Sequence, residues 1–248
     1  MDYAGLRDNM VSSLEHETKG LVRTDRVARA MRAVPRHRFV DVDAEHRAYM
    51  DQAYEHRGTR VLAPSTAAWL LEGLAPEPDD SVLVVGAGVG YTVAVVAEIV
   101  GARNVHALDI TRPLVLDARQ NLSRTGYGDV LVDCRDGASG LPEYAPYDRI
   151  LVEAAAVRPP GALVRQLAPD GRLVMPVGTG EQSLVAVEDG DVVEEFGGAS
   201  FDPLLVDGEQ HGTVLRNRTE REERERAARE AQARRGWEQD WIDWDHRL

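Results

Sequence analysis

One stretch constrains this chain more than any other: Val82-Leu83-Val84-Val85-Gly86-Ala87-Gly88-Val89-Gly90-Tyr91. Four consecutive apolar residues suit a strand buried on both faces of a parallel sheet. The glycines at 86 and 88 permit a tight turn and let a ligand approach the backbone. The segment GYTVAVVAEIVG that follows has the length and composition of a helix. A strand, a glycine turn and a helix in that order form the opening unit of an α/β fold.

The next elements repeat the alternation. NVHALD reads as a second strand and RPLVLDARQNLSRTG as a second helix. DVLVDC, DRILVEA and GRLVMPVG are further strand candidates, and LVRQLA is a short helix before the last of them. SLVAVEDGDVVEEF reads as an antiparallel hairpin turning at Asp189-Gly190. The expected architecture is a mostly parallel sheet with an antiparallel hairpin edge.

The glycine spacing narrows the ligand. The helix N-terminus presents N–H groups without intrahelical partners. Asp109 ends the second strand 19 residues after Gly90, with Ile110 beside it. A carboxylate there can accept both ribose hydroxyls of a nucleoside. Dinucleotide folds use G-x-G-x-x-G, whose third glycine makes room for pyrophosphate. Here the pattern is G-x-G-x-G, and Tyr91 stands at that third position. The spacing favours S-adenosylmethionine, which carries no phosphate. Asp136-Gly137 follows the third strand. The pair reads either as an ordinary turn or as an acceptor for the adenine amino group, with Gly137 allowing close approach of the ring. The cofactor-binding set is thus Gly86, Ala87, Gly88, Gly90, Asp109, Ile110, Asp136 and Gly137.

The flanks are different. Residues 1–78 read as a helical cap, 79–216 as the Rossmann-like core and 217–248 as a charged helical tail. In the cap, Leu6, Met10 and Leu14 share one helix face. Thr24 caps a helix that Val34-Pro35 ends. Ser65 can cap a third helix, STAAWLLEGL. In the tail, Thr219 and Glu222 form a capping box. Glu222/Arg226, Glu225/Arg229 and Glu230/Arg234 are i, i+4 pairs with the acid first. Trp237, Trp241 and Trp244 lie on one stripe that either docks on the chain's own body or makes a dimer or partner contact.

Composition excludes several classes. Acidic residues number 42 against 29 basic ones, a net charge of −13, which repels a phosphate backbone. Nucleic acid is therefore not an expected partner. Lys19 is the only lysine. An acidic, lysine-poor chain fits a salt-loving cell, and a GC-rich genome produces the same bias toward arginine. Cys134 is the only cysteine, which excludes an intramolecular disulfide and a cysteine-rich metal site, and no metal is expected. No apolar run approaches the roughly 18 residues of a membrane span. The first residues lack a basic and apolar leader, so the cytoplasm is the expected compartment.

Several segments carry a family resemblance. VLVVGAGVGYTVAVVAEIVG, VPRHRFV, AYEHR, RDGASGLPEYAPYDRILVEAAA, LVRQLAPDGRLVMPVG and FDPLL resemble, in order, those of the protein-L-isoaspartate O-methyltransferases. The likeness spans about residues 20–210. Arg36 to Val40, Pro146-Tyr147-Asp148 and Ala154-Ala155-Ala156 stand where the family has near-identical tracts, mostly packing signals. The resemblance implies a seven-stranded Rossmann-like methyltransferase, S-adenosylmethionine as donor and isoaspartyl residues of damaged proteins as acceptors, as a monomer or a homodimer.

The departures lie around the implied pocket. The family's Thr-Ile-Ser-x-Pro segment is Arg60-Val61-Leu62-Ala63-Pro64 here, so Leu62 replaces the serine. The loop before it is shorter than the family's. The family's acid in the first strand is Val84, and small hydroxyl residues of its glycine loop are Ala87 and Val89. Leu205 replaces a threonine, while Gln210 falls where a glutamine is common. The expected substrate positions are Leu62, Leu205 and Gln210. No catalytic residue is singled out. These losses keep two alternatives open: a methyltransferase of the same fold with another substrate, and a nucleoside-binding or assembly protein that has lost catalysis.

Overall fold

The structure is a computed structural model and describes residues 2–16 and 18–206. Gln210 and the tail over 217–248, with its capping box and tryptophan stripe, lie outside the described residues.

A seven-stranded sheet forms the centre. Its strands are β3 (Val82–Val85), β4 (Val105–Asp109), β5 (Leu131–Cys134), β6 (Tyr147–Val152), β7 (Leu167–Gly178), β8 (Gln182–Glu188) and β9 (Asp191–Ala199). They lie in the order β5-β4-β3-β6-β7-β8-β9. The first five run parallel; β8 pairs antiparallel with both β7 and β9. The hairpin turn falls at Asp189-Gly190 as expected, both residues with positive φ.

The continuous apolar run of β3 has a direct cause. Val82 and Val84 enter the core on one face, Leu83 and Val85 the core on the other. Helix α4 (Tyr91–Val100) is buried almost all round. It packs on the sheet with one side and meets α2 (Asp25–Ala33) of the cap with the other. A helix without a polar face is what such double burial requires. Helix α5 (Arg112–Arg124) connects β4 to β5, and the short α6 (Gly161–Val164) precedes β7. The LVRQLA helix therefore sits earlier than expected, and β7 already starts at Leu167.

The cap departs further from expectation. Helices α1 (Tyr3–Glu15), α2 and α3 (Pro64–Leu74) are present, and Thr24 caps α2 by accepting the Val27 N–H. Between α2 and α3, however, lies a two-stranded hairpin, β1 (Tyr54–His56) with β2 (Thr59–Val61). It turns at Arg57-Gly58, where both φ values are positive. Each strand has three residues, too few to show an alternation in sequence. Leu6 is 37% exposed, and Val11 joins Met10 and Leu14 in the core instead. Ser65 is not the cap of α3: Pro64 opens that helix, and the Asp51 carboxylate accepts the Ser65 N–H at 2.9 Å. No helix among the described residues is long and apolar enough to cross a membrane.

Candidate active site

The chain leaves β3 to cross to β4 on one side, and β6 returns on the other. The C-terminal ends of β3 and β6 therefore flank the switch point at which open α/β sheets place their ligands. A cleft open to solvent, with about 110 Å³ of enclosed space, lies there.

Its floor is the glycine loop. Gly86, Gly88 and Gly90 all have positive φ, between 52° and 91°. The N–H groups of Gly86 and Ala87 donate to the Leu108 carbonyl at 2.8 and 2.9 Å, pinning the loop to the end of β4. A Cβ on Gly88 would meet nothing within 4 Å, because that position faces the cleft. Gly90 serves packing: a Cβ there would press on Leu122 and Ala118 of α5.

Asp109 is oriented by the same loop. Its carboxylate accepts the Gly88 N–H at 3.0 Å and the Thr111 N–H at 2.8 Å. These backbone bonds fix the plane of a group with about four acceptor sites. Ile110, Thr111 and Leu114 continue that wall. Gly137 lines the cleft, and a Cβ there would come within 2.5 Å of Val85 Cγ1. Asp136 is buried, and its carboxylate accepts the Ala138 N–H at 2.8 Å.

Five of the expected cofactor residues thus line one cleft: Gly86, Gly88, Asp109, Ile110 and Gly137. Ala87, Gly90 and Asp136 shape the loops around it. Leu62 and Leu205 line the same cleft, on its outer side with Thr59, Arg60, Phe201 and Asp202. The Leu62 carbonyl is held at 2.8 Å by Nη2 of Arg36, a fully buried arginine.

Sequence reasoning missed two charged residues. Arg60 is the only cationic side chain among the described residues of the cleft wall. It approaches Asp202 at 3.4 Å, and both are about half exposed. Glu153, directly after β6, also lines the cleft. Burial pushes its carboxyl up to about 8; a Thr92 hydrogen bond opposes the rise and the Asp109 carboxylate adds to it. DRILVEA carries this acid at a strand end, but no spacing in the sequence ties it to the glycine loop.

A mostly parallel sheet in this order, with a glycine loop and an acid at the end of β4 over its switch point, defines a Rossmann-like methyltransferase that uses S-adenosylmethionine. Residues 7–200 match the family described as Protein-L-isoaspartate(D-aspartate) O-methyltransferase. The chain belongs to that family.

Relatives and solved structures agree. A protein-L-isoaspartate O-methyltransferase of Methanopyrus kandleri is 44% identical over 208 residues, covering 80% of this chain and 91% of the relative. One of Aeropyrum pernix is 44% identical over 194 residues, 75% of this chain and 72% of the relative. A solved protein-L-isoaspartate O-methyltransferase superposes with a TM-score of 0.71 at 26% identity, covering 89% of this chain and 69% of that one. A Plasmodium falciparum chain described as a β-aspartate methyltransferase, in complex with S-adenosyl-L-homocysteine, shares the fold. Its TM-score is 0.71 at 22% identity, over 80% of this chain and 98% of that one.

Proposed function

We propose that this enzyme methylates the α-carboxylate of isoaspartyl residues in damaged proteins and peptides. The observation that supports this reading is the cleft itself: donor-side and substrate-side residues of the family pattern share its walls. On this reading Gly86 and Gly88 pass under the donor, Asp109 takes the ribose hydroxyls and Gly137 makes room for adenine. The donor supplies a methyl group activated on a sulfonium. Everything else is positioning. An isoaspartyl α-carboxylate is already ionised at neutral pH, so no general base is needed. One carboxylate oxygen bonds to the methyl carbon while the electron pair of the broken S–C bond stays on sulfur. The chain's task is to hold the oxygen in line and exclude water.

Leu62 and Arg60 divide the substrate side. Leu62 presents an apolar wall where the family presents a hydroxyl. Arg60 offers the approaching carboxylate a cation in a wall that also holds Asp109, Glu153 and Asp202. Its pairing with Asp202 is half exposed and therefore weak, so exchange for a substrate carboxylate costs little. The expected partners are isoaspartyl proteins, met in the cytoplasm. The acidic, lysine-poor composition suits a cell with high internal salt.

The deciding experiment incubates the chain with labelled donor and an isoaspartyl peptide, beside its normal aspartyl twin. Slow, selective labelling of the isoaspartyl peptide is expected. Leu62→Ser should raise kcat/KM roughly tenfold, about 1.4 kcal/mol, by restoring a donor for the carboxylate. Equal labelling of both peptides would rule out repair even with methyl transfer established. No labelling in wild type or in Leu62→Ser would point to another acceptor. Arg60→Gln should raise KM for the peptide about tenfold and flatten its salt dependence. An unchanged KM would remove Arg60 from substrate binding.

A further inference from the structure

Glu153 is an ionisable side chain of the cleft wall that the reaction above leaves unused. It sits one residue past Val152, which is in register with Val85, and so stands level with Gly86. Its N–H donates to the Val85 carbonyl at 2.8 Å, which fixes it to the end of β3. An ideal Cβ on Gly86 would lie 3.5 Å from the Glu153 Cβ. The carboxyl reaches toward Thr92 in the first turn of α4. Its Oε1 is buried and has no hydrogen-bond partner among the described residues.

A buried carboxylate oxygen without a partner is costly. A second acid makes it costlier here: Asp109 faces the same cleft and is close enough to raise the Glu153 pKa. Glu153 thus places a carboxyl group beside the glycine loop at the end of β6. The missing partner of such a group is a cation. The methyl donor carries one at its amino-acid end, an α-ammonium, and that end must lie away from the ribose held at Asp109.

We propose that Glu153, at the end of β6, is the donor-binding residue that receives the α-ammonium of S-adenosylmethionine. This rests on the donor cleft described above. The groups facing Glu153 are Thr92 from α4 and Asp109 from β4, with Arg60 and Asp202 on the outer wall. With a pKa of about 8, the carboxyl is mostly protonated at pH 7 before the donor enters. An arriving ammonium favours the ionised form. Binding therefore expels a proton to solvent, and affinity rises with pH until about 8.

Calorimetry with S-adenosylhomocysteine at pH 7, in two buffers of different ionisation heat, reads the proton directly. Release of close to one proton per ligand is expected. 5′-Methylthioadenosine, which lacks the amino-acid end, should release none. Glu153→Gln should abolish the release and weaken S-adenosylhomocysteine about tenfold or more, while 5′-methylthioadenosine binds within twofold of wild type. No proton release by wild type would overturn the proposal, even if Glu153→Gln folds poorly. Wild-type affinity of the variant for S-adenosylhomocysteine would overturn it as well. Failure of both ligands to bind wild type would instead sink the donor-cleft reading on which it rests.

Discussion

Replacing Asp109 with alanine is expected to weaken S-adenosylhomocysteine at least tenfold and, with both ribose hydroxyls unpaired, toward a hundredfold. Each hydrogen bond to a charged acceptor contributes roughly 1.5–3 kcal/mol. The substitution also strips the acceptor from two backbone donors, Gly88 N–H and Thr111 N–H. The loop that forms the floor therefore loosens together with the ribose contact. Asp109→Asn keeps one acceptor oxygen and should fall between wild type and alanine. Calorimetric titration of the three proteins checks the order. Equal affinity of Asp109→Ala and wild type would remove Asp109 from the donor site.

The second large effect is expected in stability. Arg36 is fully buried. Its Nε donates to the Ala48 carbonyl at 2.8 Å and its Nη2 to the Leu62 carbonyl at 2.8 Å. Its guanidinium lies 4.8 Å from the centre of the Tyr91 ring. Burial lowers its pKa, opposed by the surrounding tyrosines and Asp51. Arg36→Ala leaves two buried carbonyls unpaired and opens a cavity among them. The cost should reach about 3 kcal/mol. For a chain of this length that lowers Tm by roughly 6–12 °C. Arg36→Lys keeps the charge but not the planar fork, and should recover only part of the loss. Thermal melts of the three proteins decide; a Tm for Arg36→Ala within error of wild type would show that the carbonyls find other partners.

The two residues differ in how far the sequence disclosed them. The place of Asp109 in the cleft was legible because it follows from spacing: an acid at the end of the strand that follows a glycine turn. The same holds for β3, whose four apolar residues specify burial on both faces, and for the Asp189-Gly190 hairpin. Arg36 was visible only as part of a tract shared with the family. Its partners are backbone carbonyls 12 and 26 residues away, which no pattern announces. Ser65 looked like a helix cap because serine often is one; Asp51, 14 residues earlier, supplies the carboxylate instead. The β1–β2 hairpin escaped for a related reason. Its strands are short, and tertiary contacts hold it in place.

Those contacts join it to α5. His56 Nε2 lies 2.8 Å from the Asp117 carboxylate, and Arg57 Nε donates to the same oxygen at 2.5 Å. His56 Nδ1 reaches Asp41 at 3.1 Å. The first turn of α5 begins beside Asp109, and Thr111 and Leu114 there line the cleft. Asp117 lies on the same helix, about 7.5 Å along its axis from Arg112. Helix α5 therefore starts beside Asp109, at the end of β4, and anchors the hairpin that brings Thr59 and Arg60 to the cleft. A tilt of α5 would move the Thr111 wall and the Thr59-Arg60 wall of the cleft together, so the two sides of the cleft are mechanically coupled through one helix.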